Sequence, residues 1–179
     1  MKANIPTLAV LALALAPAAL AAECPPILSH QFNSLQGQSI NLCDYSDKTI
    51  LVVNTASKCG YTPQFEKLEG MYRKYRDKGL LVIGFPSNDF NQELATDKEI
   101  AEFCKLTYAV DFPMISKGSV SGDNATPFYQ QLKAATGQSP KWNFHKYLIM
   151  PGGTQVYSFG TKVEPDSPEI LGKITPALR

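Results

Sequence analysis

The sequence predicts an α/β protein, with a central mixed sheet flanked by helices and entered through a short N-terminal β-hairpin. Three observations carry that prediction. Two continuous apolar runs rich in β-branched residues, 49–54 (TILVVN) and 80–85 (LLVIGF), have the pattern of strands buried on both faces. The segments between and after them repeat apolar residues at helical spacing. Two later apolar stretches, 147–150 and 155–158, flank Pro151, Gly152 and Gly153 and read as hairpin partners.

Taken in order, the chain first shows turn signals at Asn33-Ser34 and Gln36-Gly37, which make the opening segment hairpin-like. After strand 49–54, residues 63–77 read as a helix through Phe65, Leu68, Met71, Tyr72 and Tyr75. Thr62 is its expected N-cap, Pro63 its first residue, and Gly79 its stop. Pro86 ends strand 80–85. Thr96 caps the next helix, with Glu99 completing a capping box and Ile100, Phe103 and Cys104 on its apolar side. Residues 112–115 read as a short strand, 127–135 as a helix and 167–178 as a terminal helix. Strands that alternate with helices and then pair as a hairpin describe the thioredoxin-like arrangement.

The 179 residues, 44% hydrophobic and 18% charged, suit one core and one domain, 23–179. A net charge of +1 supplies no field for gathering nucleic acid. Residues 1–22 differ in kind: Lys2 precedes an apolar stretch from Ile5 through Leu20, then Ala-Leu-Ala, which reads as a secretory signal peptide cut after Ala21 or Ala22. A retained anchor is disfavoured because Pro6 and Pro17 leave an uninterrupted apolar run of about 10 residues, against about 20 for a spanning helix. Glu23, directly before Cys24, argues against a lipid-accepting cysteine. The mature chain is therefore expected to be secreted or periplasmic, with no stable membrane insertion. In that oxidising setting Cys24 and Cys43 are expected to form a structural disulfide that closes the N-terminal segment, worth about 3 kcal/mol in the chain-entropy model.

Cys59 is the candidate reactive group. It sits in NTASKCGYTP, where a strand ends and a helix begins, and the free N–H groups there, with Lys58, favour a thiolate over an inert buried thiol. Thr62 occupies the place a second cysteine holds in a CxxC dithiol, so a thiol-disulfide oxidoreductase is disfavoured. An isolated thiolate suits peroxide, whose O–O bond it opens to give a sulfenic acid. With His30 and His145 the only histidines and no Cys/His cluster at ligand spacing, no metal or cofactor is expected, and His145 reads as structural.

NTASKCGYTPQFEKLE, GFPSNDFNQELATDKEIAEFC and KWNFHKYLI resemble the three signature stretches of the glutathione peroxidase family in its cysteine form. The resemblance spans essentially the whole mature chain. It implies a thioredoxin-like fold and the reduction of hydrogen peroxide and of organic or lipid hydroperoxides under oxidative stress. It also implies a catalytic tetrad of Cys59, Gln92, Trp142 and Asn143. The last three are neutral N–H donors able to hydrogen-bond a thiolate and the charge that develops as the peroxide bond breaks. One departure stands out: where the family commonly has FPCNQF, this chain has FPSNDF and one residue fewer before Gln92, which brings Asp89 into the region.

Cys104, in AEFC, matches the resolving cysteine of thioredoxin-dependent members. Its other reading is a small apolar residue on an inner helix face. The resemblance further implies a thiol reductant, either a thioredoxin-like protein or glutathione. The short 126–142 segment lacks the insertion through which tetrameric glutathione-using members associate, so a monomer served by a thioredoxin-type donor is expected. A redox sensor or relay that hands oxidation from Cys59 to a partner is the alternative of another class.

Overall fold

The computed structural model describes Met1 and residues 23–179; apart from Met1, the leader read in residues 1–22 lies outside the described residues. β1 (Gln31–Asn33) and β2 (Ser39–Asn41) form the opening antiparallel hairpin, with Phe32 opposite Ile40. β3 (Thr49–Thr55), β4 (Leu80–Pro86), β5 (Lys146–Ile149) and β6 (Val156–Phe159) form one sheet in the order β4-β3-β5-β6. β3 runs parallel to β4 and antiparallel to β5, and β6 is antiparallel to β5. With α1 (Gln64–Tyr75), α2 (Asp97–Tyr108), α3 (Pro127–Thr136) and α4 (Pro168–Ile174), this is a thioredoxin-like fold.

Every residue of β3 and β4 is buried, because helices cover both faces. Alternate residues go opposite ways. Leu51, Val53, Val82 and Leu148 join Phe65 and Leu68 of α1, Ile100 and Cys104 of α2, and Ile170 and Ile174 of α4. Ile50, Val52, Ile83 and Tyr147 join Phe128 and Leu132 of α3, with Leu28 and Leu42 before β3. Cys24 and Cys43 are disulfide-bonded, with Cα atoms 5.6 Å apart, and the bond ties the first described turn to the segment after β2.

The helix ends follow local chemistry. α2 carries a full capping box between Thr96 and Glu99, and α3 starts at Pro127 and stops where Gly137 turns left-handed at φ 71°. Ser167 caps α4, which gives way to a 3₁₀ turn at Thr175–Ala177 because Pro176 cannot continue an α-helix; the single helix expected over 167–178 is thus two shorter pieces. The strand expected at 112–115 is replaced by two isolated bridges, Gly84 to Met114 and Ser34 to Ile115. Pro113 has no N–H for a ladder, and the Met114 side chain lies over Gly84, in the space a Cβ there would take.

Candidate active site

Cys59 lies in the turn between β3 and α1, its side chain buried while Lys58 and Gly60 on either side are exposed. Thr62 builds this turn: its Oγ1 accepts the Cys59 N–H at 3.1 Å and donates to the Ala56 carbonyl at 2.9 Å. The expected role of Thr62 as helix N-cap is overturned, since its hydroxyl is committed to the cysteine turn and Pro63 takes the cap position without a side-chain bond. Bonds from Thr62 N to Cys59 O at 3.0 Å and from Gln64 N to Tyr61 O at 2.9 Å wind the turn directly into α1. The Tyr61 N–H donates to Cys59 Sγ at 3.4 Å, a backbone donor from the turn leading into α1 and one suited to negative charge on sulfur.

The loop after β4 is docked onto this turn. The Gln92 carbonyl accepts the Lys58 N–H at 2.9 Å, and Glu93 Oε1 accepts the N–H groups of Ser57 at 3.0 Å and Leu94 at 2.8 Å. Burial raises the Glu93 carboxyl above its ordinary range. The shortened loop closes through a tight turn, Asn91 N to Asn88 O at 2.9 Å, with Asn91 left-handed at φ 58°, a conformation asparagine tolerates better than most residues. Asp89 turns away from the cysteine: its Oδ2 accepts from Ser119 Oγ at 3.1 Å, Val120 N at 2.7 Å and Ser121 N at 2.8 Å.

The third element is the corner before β5. Phe144 is left-handed at φ 60°, a conformation that costs a bulky residue about 1–3 kcal/mol and persists only when its surroundings enforce it. Here the Phe144 N–H donates to Asn54 O at 2.7 Å, Asn54 Nδ2 donates to Trp142 O at 3.2 Å, and Thr161 Oγ1 donates to Asn143 O at 2.8 Å. Asn143 is fully buried, and its Nδ2 donates to Gln92 Oε1 at 2.8 Å. Trp142 is 41% exposed and leans on Phe90, with ring centroids 5.4 Å apart.

Gln92 and Asn143 are therefore joined directly, and Gln92 ties the pair to the cysteine turn through its carbonyl bond to Lys58 N, with Trp142 next to Asn143 in the chain. Among the described residues the Tyr61 N–H is the hydrogen-bond donor to Cys59 Sγ, and the side chains of Gln92, Trp142 and Asn143 make no hydrogen bond to it. The Asn143 amide is engaged by Gln92, and the Trp142 ring lies partly in solvent. Cys104 is a buried free thiol on α2, in the same apolar cluster as Cys59, which is also free. Burial, and secondarily Glu93, push the Cys104 thiol up to about 12.

Sequence reading missed Asn54, Thr161 and Lys146. Lys146 is fully buried on β5, and its Nζ donates to the Thr161 carbonyl at 3.1 Å and the Val163 carbonyl at 2.6 Å. Burial lowers its ammonium to about 7. A charged residue in the otherwise apolar strand KYLI was the available signal. His145 is buried with Nε2 2.8 Å from Ser158 Oγ, and burial lowers it to about 4. Among the described residues no group of His, Cys, Asp and Glu could hold a metal ion, and no helix is long and apolar enough to cross a membrane.

The family model described as glutathione peroxidase matches residues 27–133. A glutathione peroxidase of Lactococcus lactis subsp. cremoris is 46% identical over 140 residues, covering 75% of this chain and 89% of that protein. A hydroperoxy fatty acid reductase of Synechocystis is 39% identical over 145 residues, covering 75% of this chain and 86% of that protein. The crystal structure of T. cruzi GPX1 superposes with a TM-score of 0.65 at 30% identity, over 84% of this chain and 95% of that one.

Proposed function

Because this chain belongs to the glutathione peroxidase family and is a thiol-dependent peroxidase, we propose that Cys59 is its peroxidatic cysteine, with Gln92, Trp142 and Asn143 completing the site. One observation supports the reading above others: a buried free thiol carries a backbone N–H on its sulfur in a turn to which the Gln92–Asn143 amide pair is docked.

In this mechanism the Cys59 thiolate attacks one peroxide oxygen. An S–O bond forms as the O–O bond breaks, the departing oxygen takes up a proton and leaves as water or alcohol, and the sulfur becomes a sulfenic acid. Amide and indole N–H groups at the rim meet the charge that develops on oxygen. Cys104, as thiolate, then attacks the sulfenic sulfur, expels water and forms a disulfide, which a dithiol reductant returns to two thiols. A thiol held near 12 is protonated while buried, so Cys104 acts only after leaving its apolar cluster. Hydroperoxides of fatty acids are the favoured substrate class, in keeping with the name of the Synechocystis relative.

A thioredoxin-type protein is the favoured donor over glutathione, and the monomer the favoured state, because the short 126–142 segment leaves the half-exposed Trp142 rim open to a docking protein. The same reading has residues 1–22 removed on export and 23–179 working in the periplasm or outside the cell. Intact-mass analysis of the exported protein should find a chain beginning at Ala22 or Glu23. Peroxide consumption with a thioredoxin system and with glutathione, for wild type, Cys59→Ser and Cys104→Ser, tests the chemistry. Turnover by Cys59→Ser would sink the assignment of the attacking sulfur, and full thioredoxin-linked turnover by Cys104→Ser would remove the resolving role.

A further inference from the structure

Lys146 is an anomaly of the fold. A fully buried ammonium normally meets a carboxylate, yet Lys146 makes no ion pair among the described residues, and Glu164 of the loop it bonds to pairs instead with Lys67 at 3.3 Å. Lys146 spends its hydrogen bonds on two carbonyls of the loop after β6. The first of these, Thr161 O, also accepts Gln64 Nε2 at 2.9 Å, and Gln64 is the first residue of α1, next to the cysteine turn. Two donors from two elements thus converge on one carbonyl. The same residue, Thr161, donates its hydroxyl to Asn143 O at 2.8 Å, and Asn143 donates to Gln92. Asn143 precedes the left-handed Phe144, so its backbone sits at a corner that local preference does not hold.

We propose that Lys146 and Gln64 form a clasp on Thr161 that fixes the backbone of Asn143, making Lys146 and Thr161 positioning residues for the attack of Cys59 on peroxide. The inference rests on the reading of Asn143 as part of the peroxide site. Lys146 never touches substrate; it holds the 161–163 loop, and Thr161 passes that fixity to Asn143 through one hydrogen bond. Loosening the clasp lets the Asn143–Gln92 pair drift, and misplacement of about 1 Å in a preorganised site costs large factors in rate. Capture of an alkylating agent needs the Cys59 sulfur alone and leaves the pair unused.

The test compares two reactions of the reduced, full-length mature protein by stopped flow: oxidation by hydrogen peroxide, and alkylation by iodoacetamide at the same pH. Thr161→Val removes the hydroxyl and keeps the shape, Thr161→Ser restores it, and Lys146→Met removes the amine. Thr161→Val and Lys146→Met should each slow the peroxide step by about 10-fold or more while alkylation stays within about 3-fold. Thr161→Ser should retain the wild-type rate. The double variant should lose no more than the worse single one, since both cut one relay. Wild-type peroxide rates in Thr161→Val and Lys146→Met, or parallel losses in both reactions that Thr161→Ser shares, would overturn the clasp. Asn143→Ala separates the two possible failures. A wild-type peroxide rate there removes Asn143 from the site and the clasp with it, whereas a slow rate there beside unaffected Thr161→Val and Lys146→Met removes the clasp alone.

Discussion

At the scale of single residues, the site is a set of short hydrogen bonds around one buried sulfur, and each bond implies an effect. Gln92→Ala removes the acceptor of the Asn143 amide and a rim donor, and should slow the peroxide step by about 100-fold, the usual loss for one preorganised donor. Stopped-flow oxidation of the reduced protein measures it, and a rate within a few-fold of wild type would count against the role. His145 predicts a pH effect on stability instead. An unfolded imidazole titrates near 6.5, and burial lowers the folded one to about 4. Between those values the unfolded chain holds the extra proton, so stability rises with pH across the window and falls as pH drops from about 6.5 toward 4, by up to about 3 kcal/mol. Urea midpoints at pH 4.5 and 6.5 check this, and His145→Asn should flatten the slope. Cys59 was readable because its chemistry lies in local residue types at a strand-helix junction. Thr161 was not, because it meets Asn143 only after the β5–β6 hairpin folds back, and nothing in Gly160-Thr161-Lys162 announces a support.

Among the elements, α2 is the one whose attachment bears most on the proposed resolution by Cys104. Of its twelve residues Ile100 and Cys104 are the buried ones, while Leu106 is 84% exposed. The helix is held largely at its ends: the Thr96–Glu99 capping box at one, and at the other the Lys105–Asp111 pair at 2.6 Å and Arg73 donating to Ala109 O at 3.1 Å. Thr96→Ala should cost about 1 kcal/mol in urea unfolding, as cap losses do. If Cys104 reaches Cys59 by freeing α2, the same variant should form the Cys59–Cys104 disulfide faster after peroxide. An unchanged rate would mean that α2 does not limit resolution. The elements most legible in sequence were those whose pattern matches their burial: TILVVN and LLVIGF are strands buried on both sides, and Thr96 caps where its spacing to Glu99 demands. Residues 112–115 misled because apolar content alone suggested a strand, while Pro113 lacks the N–H that would extend its pairing and bridges form instead.

Over the whole molecule, the sheet has two packed sides, and the four cysteines divide between them. Cys59 and Cys104 lie in the cluster under α1, α2 and α4, whereas Cys24 packs against the cluster under α3 and is bonded to Cys43. Replacing Cys24 and Cys43 together by serine should lower stability by about 3 kcal/mol, the value for a loop of this length, and leave the peroxide rate of the reduced Cys59 unchanged. Denaturant titration and stopped flow on the same preparation read both quantities, and a slowed peroxide step would show that the hairpin reaches the site after all. The β-sheet thereby acts as an insulating wall between two sulfur circuits. In the proposed cycle one circuit would open and close with every turnover while the other stays shut, so that a reductant could drain the first without shorting the second. Each can then be tuned to its own potential within one small domain.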